Sequence, residues 1–385
     1  MEHTINSQVK NIQISGIRQF FNMVSQYEDV LSLTIGQPDF PTPEHIKEAA
    51  KLAIDENFTT YTANAGMLQL RQAIAQYYYD KDQLQYSPKD QIIVTNGASQ
   101  GIDITFRTIL SDGDEVLLPG PIYPGYEPLI KLSEAKPIYV DTTTSNFQIT
   151  AEQIKPLLSN KTRCIVLPYP SNPTGVSISE EELEKIANLV KGRNIFILSD
   201  EIYSELQFSN KHLSIASFLP NQTIIINGLS KSHSMTGFRI GFLLGPAEIV
   251  QHVLKVHQYN VSCTCSISQR AALAALTNGR DDPIKMRKEY EKRLDYVYKR
   301  LIKMGMDVVK PDGAFYLFPK VPFQNMTSFQ FAIDLLEKAR VAVVPGSSFS
   351  LYGEGYFRLS FAYNMAQLKE ALDRLESYCS SIVGP

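Results

Sequence analysis

The sequence predicts an α/β protein: a seven-stranded, mostly parallel sheet with helices on both faces, followed by a smaller α+β domain. Three observations carry this. Seven short β-branched runs recur between about residues 90 and 245, most of them lack apolar/polar alternation, and the texture changes after residue 280. Continuous apolar runs mark strands covered on both sides, which is the rule for parallel sheets.

The runs are Gln91–Thr95, Glu115–Leu118, Pro137–Val140, Cys164–Leu167, Ile195–Leu198, Thr223–Ile226 and Ile240–Leu244, each closed by Gly, Pro, Asn or Asp. Helical apolar spacing lies between several of them, as in Glu180–Val190 behind Ser179 and its acidic first turn. Only 13 residues, 227–239, separate the sixth and seventh runs, too few for an ordinary parallel crossover, so the seventh strand is expected to run antiparallel. Beyond 280, Tyr290, Leu294, Val297 and Leu301 recur at spacings of 4, 3 and 4 on an amphipathic helix spanning 284–303. Strand pieces at Ala314–Phe318, Ala342–Val344 and Phe357–Ser360, with helices near 327–339 and 366–379, complete the smaller unit. The expected organisation is residues 36–280 as the large domain, 281–385 as the small one, and 1–35 as a segment joining the small domain or a partner subunit.

Lys and Arg number 37 against 40 Asp and Glu, a net charge of −3, so the chain lacks the basic excess a nucleic-acid or anionic-membrane binder needs. A small-molecule ligand is the better expectation. The four cysteines, Cys164, Cys263, Cys265 and Cys379, are too sparse for a disulfide framework and have no zinc-ligand spacing; buried free thiols and no metal are expected. The first residues carry no apolar signal region, and no stretch reaches the roughly 18 apolar residues of a membrane-spanning helix. A cytoplasmic location is the corresponding expectation.

In a mostly parallel sheet, ligand groups come from loops at the carboxyl ends of strands. After the first run stands Asn96-Gly97-Ala98-Ser99-Gln100, a glycine turn opening a helix, where free N–H groups can hold a phosphate. After the fourth comes Pro168-Tyr169-Pro170-Ser171-Asn172-Pro173-Thr174-Gly175, after the fifth Ser199-Asp200-Glu201-Ile202-Tyr203, and after the sixth Gly228-Leu229-Ser230-Lys231. Alone, each is an ordinary turn, helix cap or solvated lysine. Together they suit a pyridine cofactor, which needs a lysine for its covalent link, a carboxylate at its ring nitrogen, donors at its phenolic oxygen and a phosphate cup.

These pieces, with Tyr61 in Tyr-Thr-Ala-Asn-Ala-Gly-Met-Leu-Gln-Leu-Arg, Tyr123 in Pro-Ile-Tyr-Pro, Met235-Thr236-Gly237-Phe238-Arg239 and Phe357-Arg358-Leu359-Ser360, run in order along nearly the whole chain. The series resembles the class I pyridoxal-phosphate-dependent aminotransferases of fold type I. The resemblance implies that Lys231 carries the cofactor's covalent link and moves the substrate proton, and that Asp200 holds the pyridine nitrogen's proton. It further implies that Asn172 and Tyr203 bond the phenolic oxygen and that Arg239, Ala98 and Ser99 form the phosphate cup. Tyr123 matches the aromatic plate over the ring, and Tyr61 a tyrosine reaching the neighbouring subunit's phosphate, so a homodimer is implied. Arg358, with Gly36 and Asn172, matches the α-carboxylate site, and Ile14–Ile17 a stretch lining the side-chain pocket. Many members carry a hydroxyl three places before the lysine; here that residue is Gly228, and Ser230 is a weak substitute.

The implied substrates are an L-amino acid and a 2-oxo acid such as 2-oxoglutarate. A lysine that some members use for dicarboxylates is replaced by Ser99, so the cation for a distal carboxylate is not evident. The wording around Leu167–Pro173 and Lys255–Val261 is similar to bacterial aromatic and N-acetyl-diaminopimelate aminotransferases, which leaves either amino donor open. His257 and Tyr259 are candidates for the pocket wall, His257 more simply a structural residue. A pyridoxal-phosphate carbon-sulfur β-lyase is the nearest rival, since it shares the lysine and ring carboxylate. A non-catalytic binding subunit fits less well because every polar group needed for chemistry is present, and a dehydrogenase less still, because no G-x-G-x-x-G follows a strand.

Overall fold

The structure, a computed structural model, describes residues 4–208 and 211–383. The outer ends of the N-terminal and small-domain segments expected from sequence, residues 1–3 and 384–385, lie outside the described residues.

A short first strand, β1 (Leu31–Ser32), precedes the main sheet. The sheet comprises β2 (Ile92–Thr95), β3 (Glu115–Gly120), β4 (Lys136–Asp141), β5 (Thr162–Pro168), β6 (Phe196–Asp200), β7 (Thr223–Gly228) and β8 (Gly241–Leu244). These are the seven expected runs, with Gln91, Ile195 and Ile240 left just outside and the carboxyl ends of β3, β4, β5, β6 and β7 extended by one or two residues. Their order is β2-β8-β7-β6-β5-β3-β4. Only β8 runs against its neighbours, pairing antiparallel with both β7 and β2, as the short connection before it requires. Successive residues feed opposite faces: Leu117 and Ile197 enter one apolar cluster, Val116, Leu118 and Leu198 another, and Ile225 a third across from Ile224 and Ile226. Both faces are dry, which is why the runs show no alternation. Strand β4, at one edge, is the exception and is half-exposed, whereas β2 at the other edge is buried throughout.

The helix Glu180–Val190 forms where the sequence indicates, with Ser179 Oγ accepting from the Glu182 amide and three acidic residues in its first turn, where the helix dipole favours them. The helix Asp282–Lys303 buries Tyr290, Leu294, Val297 and Leu301 as one stripe. With the helices Ser328–Ala339 and Met365–Val383 it shares a core with Phe20, Leu33 and Phe357, separate from the clusters on the main sheet.

In this second body the run Phe357–Ser360 forms at its expected length, while the other two runs give shorter strands. β9 (Tyr316–Leu317) is two residues, and the run Ala342–Val344 divides into β10 (Val341–Ala342) and β11 (Val344–Pro345). β11 pairs with β12 (Phe357–Ser360), which pairs with β9, both antiparallel, while β10 pairs in parallel with β1. The amides of Leu31 and Leu33 donate to the carbonyls of Arg340 and Ala342, tying the N-terminal segment to this body.

The cysteines correct one expectation. Only Cys164, inside β5, is buried; Cys263 and Cys379 are half-buried and Cys265 is exposed. Cys263 and Cys265 lie in the connection between the helices Ala247–Val261 and Ser266–Asn278, on either side of Thr264, which is the residue buried there and donates to the Val94 carbonyl of β2 at 3.0 Å. Among the described residues no helix is long and apolar enough to cross a membrane.

Candidate active site

Strand direction assembles the site. β2 and β7 point the same way, so Gly97-Ala98, Asp200 and the loop after β7 all emerge at the carboxyl edge. β8 runs the other way and starts at that edge, with Gly241 opposite both Thr95 and Gly228. Arg239, two residues before β8, is thereby delivered beside the start of the helix Ala98–Ile109. A single antiparallel strand thus adds a cation to a rim otherwise built from strand ends.

A cavity of about 1000 Å³ opens there. Of the residues singled out from sequence, Gly36, Ala98, Ser99, Tyr123, Asn172, Asp200, Tyr203, Ser230, Lys231, Arg239 and Arg358 all line it, as do Ile14 and Ile17. Tyr61 does not; it is 88% exposed on the surface. His257 and Tyr259 are also outside: His257 is fully buried in its helix and Tyr259 stands 87% exposed.

Lys231 donates to the Gly36 carbonyl at 2.5 Å. Burial, then the Arg358 and Arg239 guanidiniums, push its amine down to about 8, against the pull of Asp200. Asp200 is the last residue of β6; it accepts from the Tyr126 hydroxyl at 2.5 Å and from the Ile202 amide at 3.1 Å. Burial nevertheless pushes its carboxyl up to about 6. The hydroxyls of Tyr203 and Tyr316 share a hydrogen bond of 2.8 Å. Arg358, almost fully buried, donates to Asn172 Oδ1 at 2.8 Å and to the Thr34 carbonyl at 2.7 Å, and its guanidinium lies 4.3 Å from the Tyr316 ring centre. Its Nε–H is buried and has no partner among the described residues, a donor that an anion could satisfy.

The residues fit a phosphorylated pyridine. The helix Ala98–Ile109 has no side-chain cap among the described residues, so its first N–H groups are open to an anion. Gly97 has φ +77°, and a Cβ there would stand 2.5 Å from Arg239 Nη2; a Cβ on Gly241 would stand 2.6 Å from the Ala98 nitrogen. This backbone approach is possible only without side chains. Gly228 has no room for the absent hydroxyl, since a Cβ would meet the Ile240 carbonyl at 2.9 Å. Among the lining side chains Lys231, Arg239 and Arg358 outweigh Asp200, a balance suited to a phosphate and a carboxylate.

Sequence reasoning missed Tyr126, Tyr316 and Thr34. Tyr126 follows Tyr123 by three residues, a clue that both serve one site; Tyr316 reads only as a strand residue until the second body packs across the cavity.

Residues 28–375 match the family model "Aminotransferase class I and II". The chain is 64% identical to a Bacillus subtilis protein named "Probable N-acetyl-LL-diaminopimelate aminotransferase", over 98% of this chain and 96% of that one. It is 39% identical to "Aromatic-amino-acid aminotransferase 2" of Thermococcus litoralis, over 97% of both. The crystal structure of an aromatic aminotransferase from Pyrococcus horikoshii superposes with a TM-score of 0.90 at 39% identity, covering 94% of this chain and 99% of that one. With the lysine, carboxylate and arginines gathered at the carboxyl edge of a seven-stranded sheet, the chain belongs to the class I and II aminotransferases and is a transaminase of fold type I.

Proposed function

We propose that the protein binds pyridoxal 5′-phosphate in this cavity and moves the amino group of an acylated diaminopimelate-type L-amino acid to a 2-oxo acid such as 2-oxoglutarate. The observation that carries this is the convergence of Lys231, Asp200, Arg239 and Arg358 on one cavity from three separated segments, Lys231 and Arg239 sharing the connection between β7 and β8. When bound, the cofactor supplies an aldehyde carbon that carries the amino group between the substrates and a ring that takes up the electron pair left at the substrate Cα.

Arg239 and the open amides of Ala98 and Ser99 hold the phosphate, and Tyr123 covers the ring. Asp200 keeps a proton on the ring nitrogen, with Tyr126 fixing the carboxylate's orientation. Asn172 and Tyr203 donate to the phenolic oxygen. Lys231, held near 8, has a neutral fraction at neutral pH and in that form takes the proton from the substrate Cα and returns it to the cofactor's aldehyde carbon. Arg358, clamped by Asn172 and Thr34, binds the α-carboxylate beside the Gly36 backbone.

The acylated donor is favoured over an aromatic one by the 64% identity to the Bacillus subtilis relative, against 39% to the aromatic one. The exposed Tyr61 reaches the phosphate of a second copy in a homodimer, and the protein works in the cytoplasm. The test is an absorbance spectrum of cofactor-loaded protein before and after borohydride, beside Lys231→Ala, followed by a panel of amino donors with 2-oxoglutarate. A visible band that borohydride removes and the variant lacks is expected, with fastest turnover on N-acetyl-LL-diaminopimelate. No band overturns the cofactor site, and release of pyruvate and ammonia without an oxo acid identifies a lyase instead.

A further inference from the structure

The cavity wall carries five cationic side chains: Arg18, Lys131, Lys231, Arg239 and Arg358. Three have work in the proposed reaction, at the proton, the phosphate and the α-carboxylate. Lys131 is neutralised, since it donates to Glu127, which also accepts from the Tyr139 hydroxyl at 2.5 Å. Arg18 alone of the five is exposed with no hydrogen bond or ion pair among the described residues.

Its position is built. Arg18 lies in the first turn of the helix Gly16–Val24. One face of that helix is anchored: Ile17 packs on the Phe318, Val344 and Phe349 cluster, and Phe20 and Val24 enter the core of the second body. Gly16 seats against Ser348, where an added Cβ would stand 2.8 Å from Oγ. Phe349, next in the chain, places its ring 5.0 Å from the Arg358 guanidinium. The other face, with Arg18 and Phe21 one turn apart, lines the cavity. A fixed helix thus presents an uncompensated guanidinium to the space that Arg358 also faces.

We infer that Arg18 is the specificity residue that grips the distal carboxylate of dicarboxylate substrates while Arg358 holds the α-carboxylate, an inference that rests on the transaminase reading above. A planar guanidinium takes a carboxylate bidentately, and neither Lys131, already paired, nor Ser99 offers that fork. The same group serves both halves of the reaction, since 2-oxoglutarate and an acylated diaminopimelate each carry a second carboxylate. A substrate lacking it gains nothing from Arg18.

The experiment compares wild-type, Arg18→Gln, Arg18→Lys and Lys131→Met holoenzymes with 2-oxoglutarate and with pyruvate as acceptor. Arg18→Gln is expected to lower the ratio of kcat/KM for 2-oxoglutarate over pyruvate by about 10- to 100-fold, mostly through KM, the range for losing a charge-assisted hydrogen-bonded pair. Arg18→Lys restores part of the ratio, and Lys131→Met leaves it within about twofold. Calorimetric titration with glutarate shows the same weakening for Arg18→Gln, and titration with butyrate does not. An unchanged ratio, an equal loss on both acceptors, or a loss confined to Lys131→Met overturns the assignment. If the wild-type protein transaminates neither acceptor, the transaminase reading fails, and the glutarate titration still decides whether Arg18 reads a distal carboxylate.

Discussion

Lys231 and Asp200 are held where burial disfavours their charged forms. Lys231 falls from an ordinary 10.5 to about 8. Between those pH values the unfolded chain binds more protons than the folded one, so this residue's contribution to stability improves as pH rises, and its full cost stands below about 8. Asp200 rises from 3.8 to about 6; the folded chain binds more protons across that window, so stability declines as pH rises through it. Near neutrality both costs are present, each on the order of 3 kcal/mol. Lys231→Met is therefore expected to stabilise the cofactor-free protein by about 2–3 kcal/mol at pH 7, the gain shrinking toward pH 10.5. Urea unfolding across pH measures it, and a Met variant less stable than wild type at pH 7 would show that the lysine is not strained as described.

At the scale of elements, the turn from β2 into the helix Ala98–Ile109 depends on Gly97. A residue with a Cβ meets two obstacles there: a left-handed φ of +77° and the Arg239 guanidinium at 2.5 Å. Gly192, with φ +75° and nothing within 4 Å, presents only the first. Gly192→Ala is expected to cost about 1–2 kcal/mol of stability and nothing in cofactor affinity. Gly97→Ala costs at least as much strain, since its ψ of 164° with a positive φ lies where essentially only glycine sits, and it also displaces Arg239, so the dissociation constant for pyridoxal phosphate rises about tenfold or more. Absorbance titration of the two apoproteins separates the effects, and equal affinities would show that the close approach does not form the phosphate cup.

For the whole molecule, the candidate site joins two bodies. Lys231, Asp200 and Arg239 come from the main sheet, while Arg358 on β12 and Tyr316 on β9 come from the smaller one, linked through Thr34 of the N-terminal segment. Tyr61 is exposed and does not line its own cavity, so its proposed service to a second copy has a direct test. In a mixed dimer of Tyr61→Ala and Lys231→Ala subunits, one site combines an intact Lys231 with an intact Tyr61 from its partner, and the other has lost both. Mixing the two impaired variants is expected to restore activity well above either alone. No recovery in verified mixed dimers would place Tyr61 outside the neighbouring site.

Much of this was legible before any tertiary contact, because it resides in residue type and local spacing. The β-branched runs named all seven strands, the short connection 227–239 set the direction of β8, and the residues ending those runs supplied Lys231, Asp200 and Asn172. The departures came where neighbours in space are remote in sequence. The Tyr126 bond to Asp200 spans 74 positions, and Arg358 reaches 186 residues to Asn172 and 324 to Thr34. Exposure of Cys265, the edge position of β4 and the split of Ala342–Val344 into two strands likewise depend on which surfaces other segments cover. Residue type and local spacing marked the strands, their turns and the candidate site residues. Only packing decided which charges meet, how deeply each is buried, and that Arg18 faces the cavity, because burial and electrostatic coupling are properties of assembled surfaces.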